Sequence, residues 1–488
     1  MILCCKSNYC FFFVLCIFAS SLKTQASTTT TPIKHVVVIY QENRTFDNYF
    51  ATYPFAENNP GETPFTASKN TPSVNGLLSS GLIKNNPNLF RPYRVGPIRS
   101  EYIDPNHDYT QLQQSCNKGL MDQFVQASEG TVNPRGAMEY VDGNTVTGIW
   151  NYAQFFAIND NFRSTTLGPS VVGAINLISG NAHGAPEDIE SYVVEGTIIN
   201  DIDPLYDKCS EAPLTSLSGI NVGNLLNAKG VTWGWFQGGF ANCNVMHESP
   251  FGPLADYVPR RNPFQFYEST SNPLHLPPSS VDKIGYTDQA NHIYDISDFW
   301  AALKNGNLPS VCFIKAPQYQ TAHPYESSSL LEQEFLVPMI NKLQTYKHYW
   351  KDMAIIIGYD DSGGLYDHEC PVMINDSQLA DYDVLTAPGF AGSQFPMGGY
   401  QGRPGYGLRL PFLLISPWAK INYVDHTLID QTSILRFIED NWSLGRIGDF
   451  SFDEFSGSLL NMFDFSKRRL RYLFLNPNTG AIQYRSHS

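Results

Sequence analysis

Residues 33–40, Ile33-Lys34-His35-Val36-Val37-Val38-Ile39-Tyr40, are apolar and β-branched almost throughout. That is the pattern of a strand covered on both faces, as parallel sheets require. Met353 to Tyr359 repeats it without a single polar side chain, and shorter runs of the same kind fall at Gly230–Phe236, Pro309–Ile314 and Leu410–Ser416. Between them, apolar positions recur at helical spacing over Gly148–Phe162, Gly173–Ile178, Leu330–Leu343 and Thr432–Asp440. Strands alternating with helices predict an α/β sandwich, a mostly parallel central sheet between helices. Residues 51–105 are dense in Pro, Asn and Gly, and residues 185–290 carry many turn signals, so both are expected as loop-rich insertions. No internal repeat is seen.

Composition narrows the class. The 488 residues are 42% apolar and 13% aromatic, enough for one large core, but only 16% charged. The first 26 residues carry Lys6, then an apolar run Phe11–Ala19, then Thr24-Gln25-Ala26. A basic start, a short apolar centre and a small-x-Ala end form a signal peptide, predicting an exported protein, extracellular or periplasmic, with a mature domain at 27–488. The run is too short for a membrane anchor. Losing Lys6 and Lys23 moves the net charge from −14 to −16. A chain that acidic excludes nucleic acid as a partner and disfavours electrostatic adhesion to anionic lipid. No obligate protein partner is implied. Of nine cysteines, Cys116, Cys209, Cys243, Cys312 and Cys370 lie beyond the signal, permitting at most two bridges. None stands at zinc-finger spacing.

Two predicted strands run directly into acidic and amide clusters. The first enters Gln41-Glu42-Asn43-Arg44-Thr45-Phe46-Asp47; the second enters Asp360-Asp361-Ser362-Gly363-Gly364, with Asp367 and His368 behind. Ligands in parallel sheets sit beyond the carboxyl ends of strands. Adjacent carboxylates after a wholly apolar strand are costly unless a cation lies between them, so these turns point to a divalent metal site rather than a solvated loop. Gly168-Pro169-Ser170 leads into a helical pattern; spacing alone favours Ser170 as a helix cap over a nucleophile. His107, His183, His323, His368 and His426 are flanked by polar or turn residues. Each suits phosphoryl chemistry or a structural role equally. His35 reads as structural.

The run Ile33–Asp47 resembles the opening signature of the bacterial and plant phosphoesterase family, which holds non-specific phospholipases C and secreted acid phosphatases. The likeness continues through His107-Asp108, Met121-Asp122, Gly168-Pro169-Ser170, Asn181-Ala182-His183-Gly184, Asn262-Pro263-Phe264 and Gln318-Tyr319-Gln320 with His323-Pro324. Tyr359-Asp360-Asp361-Ser362-Gly363-Gly364-Leu365-Tyr366-Asp367-His368 is the most specific part. Leu414–Lys420, Tyr423–Thr427 and Thr432–Glu439 complete it.

The resemblance implies an alkaline-phosphatase-like sandwich with loop-rich lids. It makes Ser170 the nucleophile, reversing the odds from spacing, and makes Glu42, Asn43, Asp360, Asp361 and Ser170 the ligands of a divalent metal, zinc first and calcium second. His107, His323 and Asn176 would contact the phosphate or protonate the leaving group. Many relatives carry a His pair where this chain has Arg260-Arg261. Arginine holds a phosphate oxygen but is no proton donor, so that duty falls to another imidazole such as His323, or else the arginines face solvent. The expected activity is that of a phospholipase C acting through a phosphoserine, with a broad acid phosphatase acting on monoesters as the alternative. The substrate is then a phospholipid or phosphomonoester, reached through transient membrane-surface contact in the first case. A non-catalytic surface-binding protein would not need Glu42, Asn43, Ser170, Asp360 and Asp361 intact.

Overall fold

A computed structural model describes residues 28–97, 103–249, 252–371 and 406–486; the signal segment lies outside the described residues. Eight strands form the main sheet: β1 His35–Gln41, β2 Ala157–Asn159, β3 Trp233–Gln237, β4 Ile293–Asp295, β5 Val311–Lys315, β6 Met353–Tyr359, β7 Phe412–Ile415 and β8 Tyr423–Asp425. Their order is β4-β3-β5-β1-β6-β7-β2-β8. The five strands from β4 to β6 pair in parallel, β7 runs antiparallel to both its neighbours, and β8 is parallel to β2.

Four helices matter for the site: α1 Thr147–Phe155, α2 Ser170–Ser179, α3 Ser329–Thr345 and α4 Gln431–Trp442. Successive strand residues point to opposite faces, and β6 uses this to separate two layers. The Tyr359 hydroxyl donates to Glu332 of α3 at 2.6 Å, whereas its neighbour Gly358 lies under Ile434 of α4. The Tyr40 hydroxyl, on the Gly358 side, donates to the Gly173 carbonyl of α2. So α2 and α4 cover one face and α3 covers the other, with α1 packed on α3 through Gly148 against Gln333 and Val337. Every residue of β6 is buried, which is why its sequence is continuously apolar.

Two features differ from expectation and one agrees with it. The helix predicted over Gly148–Phe162 stops at Phe155, because Ala157–Asn159 pair with both β7 and β8. Within the segment 185–290, the apolar run expected as a strand over Gly230–Phe236 does form β3, inside the main sheet between β4 and β5. The excursion after residue 51 also packs; Leu77 joins Leu112, Phe124, Met138 and Tyr366 in a second, smaller apolar cluster. Cys209 and Cys243 form a disulfide, and Cys116, Cys312 and Cys370 are free thiols. Among the described residues, no helix is long and apolar enough to cross a membrane.

Candidate active site

The in-register parallel pairing of β1 with β6 places Gln41 opposite Tyr359. The residues that follow each strand therefore emerge side by side. The Asp360 amide donates to the Gln41 carbonyl and the Arg44 amide to the Asp361 carbonyl, both at 3.1 Å. Asp360 Oδ1 accepts from the Asn43 amide at 3.2 Å and from the Asp361 amide at 2.8 Å. Gly363, at φ 60°, makes the turn; a Cβ there would come within 2.8 Å of the Asn43 Cβ.

Helix α2 is pressed onto this junction. Gly173 lets it approach, since a Cβ at that position would lie 2.1 Å from the Asp360 carbonyl oxygen. Pro169 occupies the N-cap position and Ser170 is the first helical residue. Ser170 is therefore not the cap that its spacing suggested. Its hydroxyl instead donates to Asp361 Oδ2 at 2.8 Å, with Asn43 Oδ1 at 3.2 Å. His107 adds a nitrogen: Nε2 is 3.2 Å from Asn43 Nδ2, and Nδ1 is 2.9 Å from the Pro105 carbonyl. The ring of His323 stands edge-on to His107 with centroids 5.9 Å apart. Its loop is tied down by Arg44, whose guanidinium donates to the Ala322 carbonyl at 2.7 and 3.0 Å.

The cluster thus assembles Glu42, Asn43, Ser170, Asp360, Asp361, His107 and His323. Asn176 stands elsewhere. Its amide donates to Thr165 Oγ1 at 2.6 Å, and Thr165 donates to Gln431, whose own amide reaches the Asp360 carbonyl. Six residues along α2 from Ser170, it braces the backbone at Asp360 through Thr165 and Gln431. His183, His368 and His426 also lie apart, held by Asp449, Asp47 and Asp160 respectively.

Two cations take places that sequence did not reveal: Lys315 drew no attention there, and Arg261 was expected to hold phosphate or face solvent. Arg261 is buried, its Nε 3.1 Å from Glu42 and its terminal nitrogen 2.8 Å from Glu326. Lys315, the last residue of β5, is buried against Glu42 and 3.4 Å from Asp360. Of the arginine pair, only Arg260 reaches solvent. A lysine ending an otherwise apolar strand was a visible signal; that Arg261 turns inward was not.

Charge follows this geometry. Burial opposes ionisation of Glu42, but Arg261 and Lys315 outweigh it and hold the carboxyl below its usual range. Burial and the charge on Glu42 push Asp360 well above its usual value despite Lys315. Burial also raises Asp361, opposed by His107 and by the Ser170 hydroxyl. For His107, burial works against the cation, yet Asp361 and the Pro105 carbonyl prevail and raise it to about 9.

Glu42, Asn43, Ser170, Asp360 and Asp361 offer oxygen donors only, converging where two carboxylates are destabilised by burial. That donor set fits a hard divalent cation, which would relieve Asp360 and Asp361. Two other clusters have metal-ligand residue types but are already satisfied. Asp47, Asp367 and His368 surround the Arg409 guanidinium at 2.9–3.3 Å. Cys209 and Cys243 are bonded to each other.

Comparison with known proteins agrees with the motifs. A non-hemolytic phospholipase C of Burkholderia pseudomallei is 22% identical over 84% of this chain and 55% of its own length. Phospholipase C B of Mycobacterium tuberculosis is 24% identical over 84% of this chain and 73% of its own. The chain thus spans about half the length of the first and about three quarters of the second. Among solved structures, an alkaline phosphatase superfamily protein from Vibrio parahaemolyticus aligns over 68% of this chain and 67% of its own, at 10% identity and a TM-score of 0.31. The phosphoesterase family matches residues 33–445, from β1 through Ser170 and both carboxylate turns to the end of α4, and the chain belongs to that family.

Proposed function

We propose that this chain is an exported, metal-dependent phospholipase C, releasing diacylglycerol and a phosphorylated headgroup through a phosphoserine. The observation that carries it is Ser170, a first-turn helix hydroxyl 2.8 Å from Asp361 within a cluster of oxygen donors. Ser170 Oγ attacks phosphorus as its proton passes to Asp361, and the bond to the diacylglycerol oxygen breaks. His107, kept cationic by Asp361, donates a proton to that leaving oxygen, and His323 flanks the same mouth. Water then attacks phosphorus, giving a proton to the now neutral His107, while Asp361 returns its proton to Ser170 Oγ as the Ser170–phosphorus bond breaks and the headgroup phosphate leaves. A divalent cation bound by Glu42, Asn43, Ser170, Asp360 and Asp361 would lower the hydroxyl's pKa and polarise the phosphoryl group. With no nitrogen or sulfur among those donors, calcium suits them better than zinc.

The phospholipase C relatives favour a diester substrate over a monoester. The test is release of p-nitrophenol from its phosphocholine ester and from its phosphate, with and without chelator, beside diacylglycerol release from phosphatidylcholine vesicles. Turnover of the phosphate alone would make the protein an acid phosphatase. Turnover of neither would sink the enzymatic proposal, and activity indifferent to chelation would remove the metal. Ser170→Ala is expected to abolish turnover with thermal stability nearly unchanged; substantial residual activity would rule out the covalent route.

A further inference from the structure

A cavity of about 890 Å³ is lined in part by Asp201, Asp203, Tyr257 and Arg260. Asp201 joins it to the reacting centre. Its Oδ1 accepts from the Val171 amide at 3.1 Å, and Val171 directly follows Ser170. First-turn amides of a helix are donors for an arriving anion, and here one of them is already taken by a carboxylate. Arg260 lies 3.7 Å from Asp201 and 3.7 Å from Asp203. One guanidinium is therefore shared between two acids, and negative charge is left in excess at the edge of the site. Asp201 also adds to the charges that favour the His107 cation, but neither acid transfers a proton in the chemistry proposed above.

We propose that Asp201, backed by Asp203, is a charge filter that admits phosphorus bearing one negative charge and discourages phosphorus bearing two. A phosphodiester carries one charge at neutral pH, whereas a monoester carries nearly two, its second pKa being about 6. The additional charge of the monoester, held at Ser170, would sit next to the residue whose amide Asp201 engages, in a half-buried setting where like charges repel far more strongly than in bulk water. The filter rests on Ser170 being the nucleophile. It adds the reason why the same centre turns over diesters in preference to monoesters. Arg260, standing where relatives carry histidine, moderates the filter.

Asp201→Asn tests this with little disturbance, because the amide oxygen still accepts from Val171 and the side chain is partly exposed. At pH 8, kcat/KM is measured for p-nitrophenyl phosphate and for p-nitrophenyl phenyl phosphate, a diester with no cationic group. The monoester-to-diester ratio is expected to rise about tenfold or more in Asp201→Asn and to fall in Arg260→Gln, where the countercharge is lost. A ratio within twofold of wild type in Asp201→Asn, or a rise in Arg260→Gln, would overturn the filter. Binding of inorganic phosphate and of dimethyl phosphate to Ser170→Ala, with and without Asp201→Asn, gives the same ratio by calorimetry without turnover. If neither ester reacts, the enzymatic proposal fails, and the filter still stands or falls on those affinities. Selective strengthening of phosphate supports it, and equal change in both refutes it.

Discussion

Gly173→Ala places a methyl group where the main chain leaves no room. The new Cβ would lie 2.1 Å from the Asp360 carbonyl oxygen and 2.8 Å from Gln431 Nε2, against an ordinary contact of 3.4 Å or more. Neither neighbour can yield cheaply. The carbonyl belongs to the backbone just beyond the central strand β6, and Gln431 donates to that same oxygen. Helix α2 must therefore retreat by roughly 1 Å, and Ser170, one turn away, retreats with it. Overpacking of this kind costs about 1–3 kcal/mol, offset by the roughly 1 kcal/mol that alanine gains over glycine inside a helix. Stability should thus fall by no more than about 2 kcal/mol in urea titration. Activity should fall far more, because a displacement of about 1 Å at a reacting atom costs on the order of 10²-fold. The assay is kcat for a p-nitrophenyl ester beside the urea midpoint. Wild-type kcat in a variant of reduced stability would refute the transmission from Gly173 to Ser170, and wild-type kcat together with an unchanged midpoint would refute the close approach itself.

Further outcomes follow from other buried charges. Arg261→Met leaves Glu42 and Glu326 without their shared cation, so a loss of about 3–5 kcal/mol is expected in denaturant titration, and a loss below about 1 kcal/mol would contradict the pairing. Glu332 is buried under the hydroxyls of Tyr49 and Tyr359, and burial, only partly offset by those hydroxyls, raises it to about 7 from an ordinary 4.5. The folded state thus prefers the protonated acid, so this contribution, about 3 kcal/mol, is complete below pH ~4.5 and is lost as pH rises through ~7. Glu332→Gln should flatten the stability profile across that window; an unchanged slope would exclude Glu332 as its source. Asp360→Asn should lower the metal retained after dialysis, read by elemental analysis, and undiminished content would remove Asp360 from the ligand set.

Much of the site was legible along the chain because strand ends are local events. An apolar run that stops at Glu42-Asn43, and another that stops at Asp360-Asp361, announces both the strands and the acidic and amide side chains gathered at their carboxyl ends. His107 and His323 stood out by their polar flanks, although His183, His368 and His426 had the same look and turned out to be anchored by other acids. Asn176 shows the opposite failure: its place in the motif suggested the mouth of the site, but the helical rotation over six residues turns its amide toward Thr165.

The amino-acid sequence by itself determined the long apolar strands and the main helices, that two of those strands run into carboxylates, and that a serine stands where a loop enters a helix. Those follow from residue periodicity and turn chemistry within a few positions. Only the tertiary structure decided that β1 and β6 are neighbours in matching register, and that Gly173 lets Ser170 reach Asp361. It also decided that Arg261 turns inward to Glu42 while Arg260 faces the cavity. Such pairings join residues tens to hundreds of positions apart, and their strength depends on burial and on distances of a few ångströms, quantities that sequence spacing does not contain.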